Sequence, residues 1–169
     1  MTTENKTWAT NIRKRTIDQC HTLDIYNLLR GEVFARELCE GVLRFPSNSQ
    51  DGAGSFDVRF TADTRFPEDL KLILAFDIFG KSEKHSVQLQ VTEPNYGGAR
   101  WWFTCPGSDD NQHCLGRVAK LYLPRGLTYF ACRICHNLTY RKSYRCNPSS
   151  GNLERTPELI LLETLGRTD

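Results

Sequence analysis

The chain has 169 residues, of which 39% are hydrophobic, 25% charged and 11% aromatic, as in folded proteins and unlike disordered or fibrous chains. Its 22 basic and 20 acidic side chains give a net charge of only +2, which by itself indicates no particular partner. No apolar run approaches the roughly 18 residues of a membrane helix, and the start lacks the apolar core of a signal peptide. We therefore expect a cytoplasmic protein.

The first elements that the sequence predicts are a flexible leader over residues 1–15 and a helical segment over 16–38. Apolar residues in that segment recur at spacings of three and four, as one face of a helix requires. Gly31 is expected to break or kink it. A helix-turn-helix is a weaker interpretation, because Arg30 and Arg36 alternate with acidic residues, which suits packing on a sheet better than binding in a DNA groove.

A change of period after Gly41 predicts β-strands. Short alternating or β-branched runs cover 42–45, 56–60, 70–78 and 87–91, and turn-rich pieces separate them. Four strands with short connections predict an antiparallel meander. A further pair of strands, 117–123 and 128–131, flanks the turn sequence Pro-Arg-Gly-Leu and is expected to form a hairpin.

Four cysteines lie in two pairs on either side of that hairpin. Eight residues separate Cys105 from Cys114, and two separate Cys132 from Cys135. The seven cysteines of the chain are an odd number, and a reducing compartment disfavours disulfides, so clustered cysteines are interpreted first as metal ligands. Two pairs at one end of a hairpin are typical of a zinc ribbon, in which tetrahedral Zn²⁺ takes four thiolates.

Other interpretations of these cysteines remain open to test. His113 or His136 lies next to a ligand cysteine and is able to replace one, and buried cysteines without metal are also common. The Cys-x-x-Cys-His sequence matches a haem attachment pattern, but no export signal accompanies it. A dithiol redox centre would open a helix, whereas here a strand leads in. Four protein ligands leave no site for an activated water, so we expect one structural Zn²⁺.

The segment from Asn111 to Leu153 is basic. It has no acidic residue, whereas the rest of the chain is net acidic. Such a basic, aromatic-rich segment predicts contact with nucleic acid, because cations neutralise phosphates and aromatic rings stack on bases. The predicted contacts are its seven cations: Arg117, Lys120, Arg125, Arg133, Arg141, Lys142 and Arg145.

The chain is expected to end in a short helix. Thr156 suits the N-cap, Pro157 the first turn and Gly166 the stop, with apolar residues between them. The predicted fold class is therefore α+β: an N-terminal helical segment with an antiparallel meander that continues into a zinc ribbon, followed by a short C-terminal helix. The predicted units are the leader 1–15, a helix and sheet domain 16–98, a zinc-ribbon module 99–146, and a linker with the last helix 147–169.

Three stretches resemble a widespread set of bacterial and prophage zinc-ribbon proteins that have no assigned activity. The family pattern runs G-G-x-R-x-W-F-x-C-P, C-G-R-R-V-A-x-L-Y and F-A-C-R-x-C-x-x-L-x-Y, and the matching residues here are 97–106, 114–122 and 130–140. Cys20 to Ile25 is similar to the C-x-S-L-D-V opening of the same proteins. Here Leu115 intervenes before the glycine that usually follows the second cysteine, and the usual long tail is short.

The resemblance implies that Cys105, Cys114, Cys132 and Cys135 are the metal ligands and that the protein is of a phage or mobile-element type. No catalytic pattern is present: the four histidines form no metalloprotease or deaminase motif, and there is no Walker loop or nucleophile elbow. The predicted function is a non-enzymatic zinc protein that binds DNA or RNA. The alternative is an adaptor or inhibitor that binds a host protein, with zinc purely structural.

Overall fold

The computed structural model describes residues 14–46, 55–107, 114–140 and 157–162. In these ranges strands predominate, and the only α-helix, α1, is Ile25–Arg30. Two short 3-10 helices, Ile17–Gln19 and Val33–Ala35, lie on either side of it. The strands are β1 (Cys20–Asp24), β2 (Leu38–Phe45), β3 (Phe56–Asp63), β4 (Lys71–Ile78), β5 (Lys81–Thr92), β6 (Arg100–Thr104), β7 (Arg117–Val118), β8 (Lys120–Pro124) and β9 (Glu158–Leu161).

Seven strands form one antiparallel sheet in the order β7-β6-β5-β4-β3-β2-β9. Strands β2 to β6 are therefore a meander in which each strand pairs with the next along the chain, for example Leu43 with Val58 and Leu89 with Phe103. The remaining strands, β1 and β8, pair with each other in a two-stranded sheet. No helix of the described residues is long and apolar enough to cross a bilayer.

The alternation of side chains determines which face of the large sheet is buried. In β3, Val58, Phe60 and Ala62 are almost fully buried, whereas Asp57 and Arg59 are exposed on the other face. The buried face packs against α1 and the small sheet in a single cluster of apolar side chains. That cluster extends from the meander to Phe130, Cys105 and Cys132, so the cysteine region shares its core with the sheet.

The predicted N-terminal helical segment over 16–38 is wrong, and with it the α+β class. Residues 20–24 form a strand because they pair with β8, from Cys20 opposite Pro124 to Asp24 opposite Lys120. Only six residues of this segment are α-helical. The helix begins after Asp24, whose carboxylate accepts a hydrogen bond from the Tyr26 amide at 3.0 Å, and it ends before Gly31. Pairing with a distant strand has overridden the local periodicity.

The predicted C-terminal helix is also not found in the described residues 157–162. Glu158–Leu161 is an edge strand that pairs with β2, with Leu43 opposite Leu159 and Gly41 opposite Leu161. The two leucines pack against the core while Ile160 lies on the opposite face. The apolar run 159–162 is short enough to fit a helix or a strand equally well. It forms a strand here because it pairs with the free edge of β2. Thr156 and Gly166 lie outside the described residues.

Gly41 leaves room for the last strand. A Cβ atom at this position would lie 2.6 Å from the carbonyl oxygen of Ile160 and 2.6 Å from the ring of Phe60. We expect Gly41→Ala to lower the free energy of unfolding by about 1–3 kcal/mol, because backbone and ring must both shift. Chemical denaturation measures this.

Gly31 provides the matched comparison. A Cβ there would clash with the end of the Leu159 side chain, which is able to rotate away, and would make an ordinary contact of 3.5 Å with the carbonyl oxygen of Asn27. Gly31→Ala should therefore cost less than Gly41→Ala, and in a Leu159→Ala background its cost should nearly vanish. If Gly31→Ala costs the same with and without Leu159, then β9 does not occupy this position beside β2.

Candidate metal centre

The first two cysteines meet where β6 ends. Cys105 follows β6 directly, its amide donates to the carbonyl of Gly116 at 2.9 Å, and its carbonyl accepts from the amide of Leu115 at 3.2 Å. These bonds continue the pairing of β6 with β7, in which Thr104 lies opposite Arg117. The residues that follow Cys114 are thus bound beside Cys105, which brings the two sulfurs together although eight residues separate them in sequence.

The second pair of cysteines forms a tight knuckle. It follows Ala131, which is bridged to Tyr122 on β8 by two backbone hydrogen bonds of 2.8 and 3.1 Å. The chain then reverses: the His136 amide donates to the carbonyl of Cys132 at 3.2 Å and the Leu138 amide to that of Arg133 at 2.9 Å. Only two residues separate the cysteines, so this turn directs both sulfurs to the same side.

All four sulfurs lie within 4.8 Å of one another. The separations are 3.8 Å between Cys105 and Cys135, 4.0 Å between Cys114 and Cys132, and 3.5 Å between Cys132 and Cys135. A tetrahedron of sulfurs about 2.3 Å from a central Zn²⁺ has edges of about 3.8 Å. The cluster therefore has the dimensions to hold one metal ion.

Backbone amides point at the buried sulfurs. The Cys105 sulfur accepts hydrogen bonds from the amides of Gly107 at 3.4 Å and Cys132 at 3.2 Å, and the Cys132 sulfur accepts one from the amide of Cys135 at 3.5 Å. Hydrogen bonds to the charged form of a group favour that form. The knuckles thus stabilise thiolates, the form in which cysteine binds metal.

Burial and mutual proximity act against ionisation of these thiols. Burial raises the pKa of Cys105 to about 11, and burial together with the thiols of Cys132 and Cys105 raises the pKa of Cys135. Burial also disfavours the Cys132 thiolate, but the hydrogen bonds from Cys135 and Cys105 outweigh it, so that this pKa is lowered. A divalent cation would supply the charge that allows all four to ionise together.

The cluster is enclosed on one side. Cys105 and Cys132 are buried, Cys135 is partly buried and Cys114 is exposed. Four protein donors complete a tetrahedral coordination sphere and leave no position for water, as in structural sites. The arrangement is able to cross-link three separate stretches of chain.

The described cysteines other than these four, and the described histidine that was considered as a substitute ligand, are not part of the cluster. Cys20 and Cys39 are outside the cluster, and Cys39 belongs to the apolar core. The ring of His136 packs against Tyr129, with centroids 5.0 Å apart, and is not among the four clustered donors. His113 and Cys146 lie outside the described residues.

The seven predicted nucleic-acid contacts do not form one described cluster. Arg117 is exposed on β7, beside the cysteines, and Arg133 lies between two of them. Lys120 forms an ion pair with Asp24 at 3.2 Å, and Arg125 is exposed beyond the far end of β8. By strand geometry that end is about 15 Å from the cysteines. Arg141, Lys142 and Arg145 lie outside the described residues.

The sequence did not predict that two aliphatic side chains on the knuckles are exposed. Leu115, next to Cys114, is 64% exposed, and Ile134, between Cys132 and Cys135, is 75% exposed. Leu115 also has a φ of 49°, in the left-handed region that favours glycine. The sequence did indicate an unusual position here, because this leucine stands just before the glycine that usually follows the second cysteine in the family pattern.

Together, the fold and the site define a class of protein: a mostly β protein with a four-cysteine cluster able to hold a metal ion. No model of a known protein family matches the chain, and neither a curated protein nor a solved structure matches it. The resemblance to bacterial and prophage zinc-ribbon proteins therefore stays a prediction.

Proposed function

We propose that the chain is a non-enzymatic zinc protein in which one structural Zn²⁺ holds a nucleic-acid-binding surface. The proposal of a metal ion depends on the spacing of the four sulfurs, which is between 3.5 and 4.0 Å for the three pairs given above. Tetrahedral sets of four thiolates suit zinc and iron, and zinc is the usual ion of structural sites built from two cysteine pairs. The ion would tie β6, the start of β7 and the segment after β8 together.

The proposed surface is the metal end, by which we mean residues 114–118 and 132–140. The described range 114–140 contains no acidic residue. At its edge the guanidinium of Arg133 lies 5.2 Å from the ring centroid of Tyr140, which is 60% exposed. A cation beside an exposed aromatic ring offers charge to a phosphate and a ring face to a base.

A second candidate function is binding of a protein partner at the same metal end. It is favoured by Leu115 and Ile134, which are aliphatic, exposed and next to the cysteines. Aliphatic side chains gain free energy in contact with another apolar surface but do not stack on bases as aromatic rings do. The two candidates differ in their response to salt, because phosphate contacts weaken steeply with ionic strength and apolar contacts do not.

We expect the triple variant Arg141→Ala, Lys142→Ala, Arg145→Ala to lose at least about tenfold in affinity for single- or double-stranded DNA at low salt. In the sequence Arg141 and Lys142 follow Tyr140 directly and Arg145 comes three residues later, so all three follow the last ligand cysteine by several residues. The parent should show a slope of log affinity against log salt of roughly −2 to −4, and the variant a shallower one. Fluorescence anisotropy with labelled oligonucleotides measures both.

A matched control removes three exposed cations from other parts of the fold: Arg30→Ala, Lys81→Ala and Lys84→Ala. It changes the net charge by the same amount but should keep most of the affinity. If both variants lose affinity equally, the net charge of the protein and not this basic segment determines the binding. No binding by the parent at low salt would contradict the nucleic-acid function and leave the protein partner as the better candidate.

A further inference from the structure

A groove of about 650 Å³ lies beside Phe34 and Trp101. It is bounded by the 3-10 helix Val33–Ala35, by the loop that joins β3 to β4, and by the neighbouring ends of β5 and β6. Its volume is in the range of sites for small organic molecules. Its lining is mixed: Thr64, Glu68 and Gln90 are polar, and the other lining residues are apolar, namely Phe34, Pro67, Leu70, Leu89, Val91 and Trp101.

A stacked aromatic pair forms one wall of this groove. The rings of Phe34 and Trp101 have centroids 4.5 Å apart and planes inclined by only 12°. Both rings are partly buried and both line the groove. The pairing of Trp101 with Val91 across β6 and β5 and the burial of Val33 next to Phe34 hold the two rings in place. The wall is thus preformed, and the outer face of either ring, which the other ring leaves uncovered, is the part that attracts cations.

The groove carries negative charge. Glu68 is the only charged residue among those that line it, and it is exposed. No ion pair of Glu68 is found in the described part of the chain. Two carboxylates close to it in sequence are already paired, Asp63 at the end of β3 with Arg65 at 2.8 Å and Asp69 with Lys71 at 2.7 Å. The Glu68 carboxylate is therefore available to an incoming positive charge.

We propose that this groove binds a small organic cation, a quaternary or protonated amine attached to a short apolar body. The Phe34–Trp101 pair and Glu68 would contact the charged group, and Leu70, Leu89 and Val91 would contact the apolar body. A concave site in which apolar side chains alternate with a few polar groups selects its ligand in this way, and the carboxylate disfavours anions. The site differs in chemistry and position from the metal end and does not depend on the proposed metal or on nucleic-acid binding.

The test titrates the full-length protein with benzyltrimethylammonium, whose charge does not depend on pH. The indole N–H signals of the tryptophans are followed by two-dimensional NMR, and Trp101 is assigned with the Trp101→Phe variant. We expect a saturable shift of the Trp101 signal, larger than those of the other tryptophans. The dissociation constant should be on the order of 1 mM, as for other fragment-sized ligands. Benzoate and benzyl alcohol should bind at least about tenfold more weakly.

The deciding variant is Glu68→Gln, which keeps the size of an exposed side chain and so should not disturb the fold. It should weaken benzyltrimethylammonium binding by about fivefold or more. Glu158→Gln, the same charge change on the opposite edge of the sheet, should leave binding unchanged. The proposal is overturned if the cation produces no saturable shift up to about 50 mM, if benzoate binds as tightly, or if the two variants behave alike.

Discussion

Replacing Cys132 with serine is expected to abolish stoichiometric metal binding and to unfold the metal end together with the core that it shares with the sheet. Cys132 is buried, its sulfur lies close to those of Cys114 and Cys135, and its amide donates to the sulfur of Cys105. The apparent free energy of zinc binding in small structural sites is about 10–16 kcal/mol, as large as the whole stability of a typical domain. The packing around the site therefore cannot replace the free energy that is lost with the metal. Zinc content per chain and far-ultraviolet circular dichroism give the readout.

Two other cysteines act as controls for that substitution. The Cys20 sulfhydryl donates to the carbonyl of Thr16 at 3.5 Å, and a serine hydroxyl is able to keep that bond, so Cys20→Ser should have little effect. Cys39 is 4% exposed in the apolar core, and Cys39→Ser should cost about 1–3 kcal/mol without loss of metal. If Cys132→Ser retains zinc and folds like Cys20→Ser, the four-cysteine site is contradicted.

Truncation of Phe130 to alanine is expected to lower the free energy of unfolding by about 3–5 kcal/mol. Phe130 is 1% exposed and lies two residues before Cys132. Its ring contacts two rings of the large sheet, Phe45 at 6.3 Å and Phe76 at 5.8 Å between centroids. The side chain therefore connects the cysteine region to the meander, and its loss leaves a cavity that neither part is able to fill alone.

Phe66→Ala is the matched control, because Phe66 is 53% exposed and the same atoms are removed from the surface. It should cost less than about 1 kcal/mol. We also expect one cooperative unfolding transition, since both parts share the core. Two transitions, of which Phe130→Ala moves only one, would contradict the shared core and favour the separate units 16–98 and 99–146 that the sequence predicts.

Strands could be predicted from the sequence where apolar and polar residues alternate strictly, because only one face of such a strand packs on the core. Val58, Phe60 and Ala62 alternate with polar residues, and the predicted run 56–60 lies within β3. The N-terminal segment failed because its pairing partner is β8, about a hundred residues further on. The spacing of Ile17, Cys20 and Leu23 carries no information about such a partner, so local periodicity predicted a helix instead.

The candidate site was predictable as a set of residues but not as a surface. The spacing of Cys105, Cys114, Cys132 and Cys135 was enough to group them, because few short segments with two cysteine pairs have another use. Which side of the cluster faces solvent depends on how β6 and the segment after β8 pack against the core, and no spacing rule contains that. The exposure of Leu115 and Ile134, and the ion pair that occupies Lys120, became apparent only in three dimensions.

The groove beside Trp101 could not be predicted from the sequence either. Trp101 and Trp102 are adjacent in sequence, but on a strand they lie on opposite faces. Trp101 stacks on Phe34, whereas the Trp102 indole donates to Thr92 at 2.9 Å and lies under Arg100. Only the pairing of β5 with β6 determines which of the two faces the core and the groove.

The most direct measurement of the central claim, that four cysteines hold one structural Zn²⁺, is X-ray absorption at the zinc edge combined with elemental analysis. The sample is protein purified without added metal. We predict about one zinc per chain, with a first shell of four sulfurs at about 2.3 Å and no oxygen or nitrogen neighbour. Zinc well below one per chain with the fold intact, or a shell that contains nitrogen or oxygen, would contradict the account.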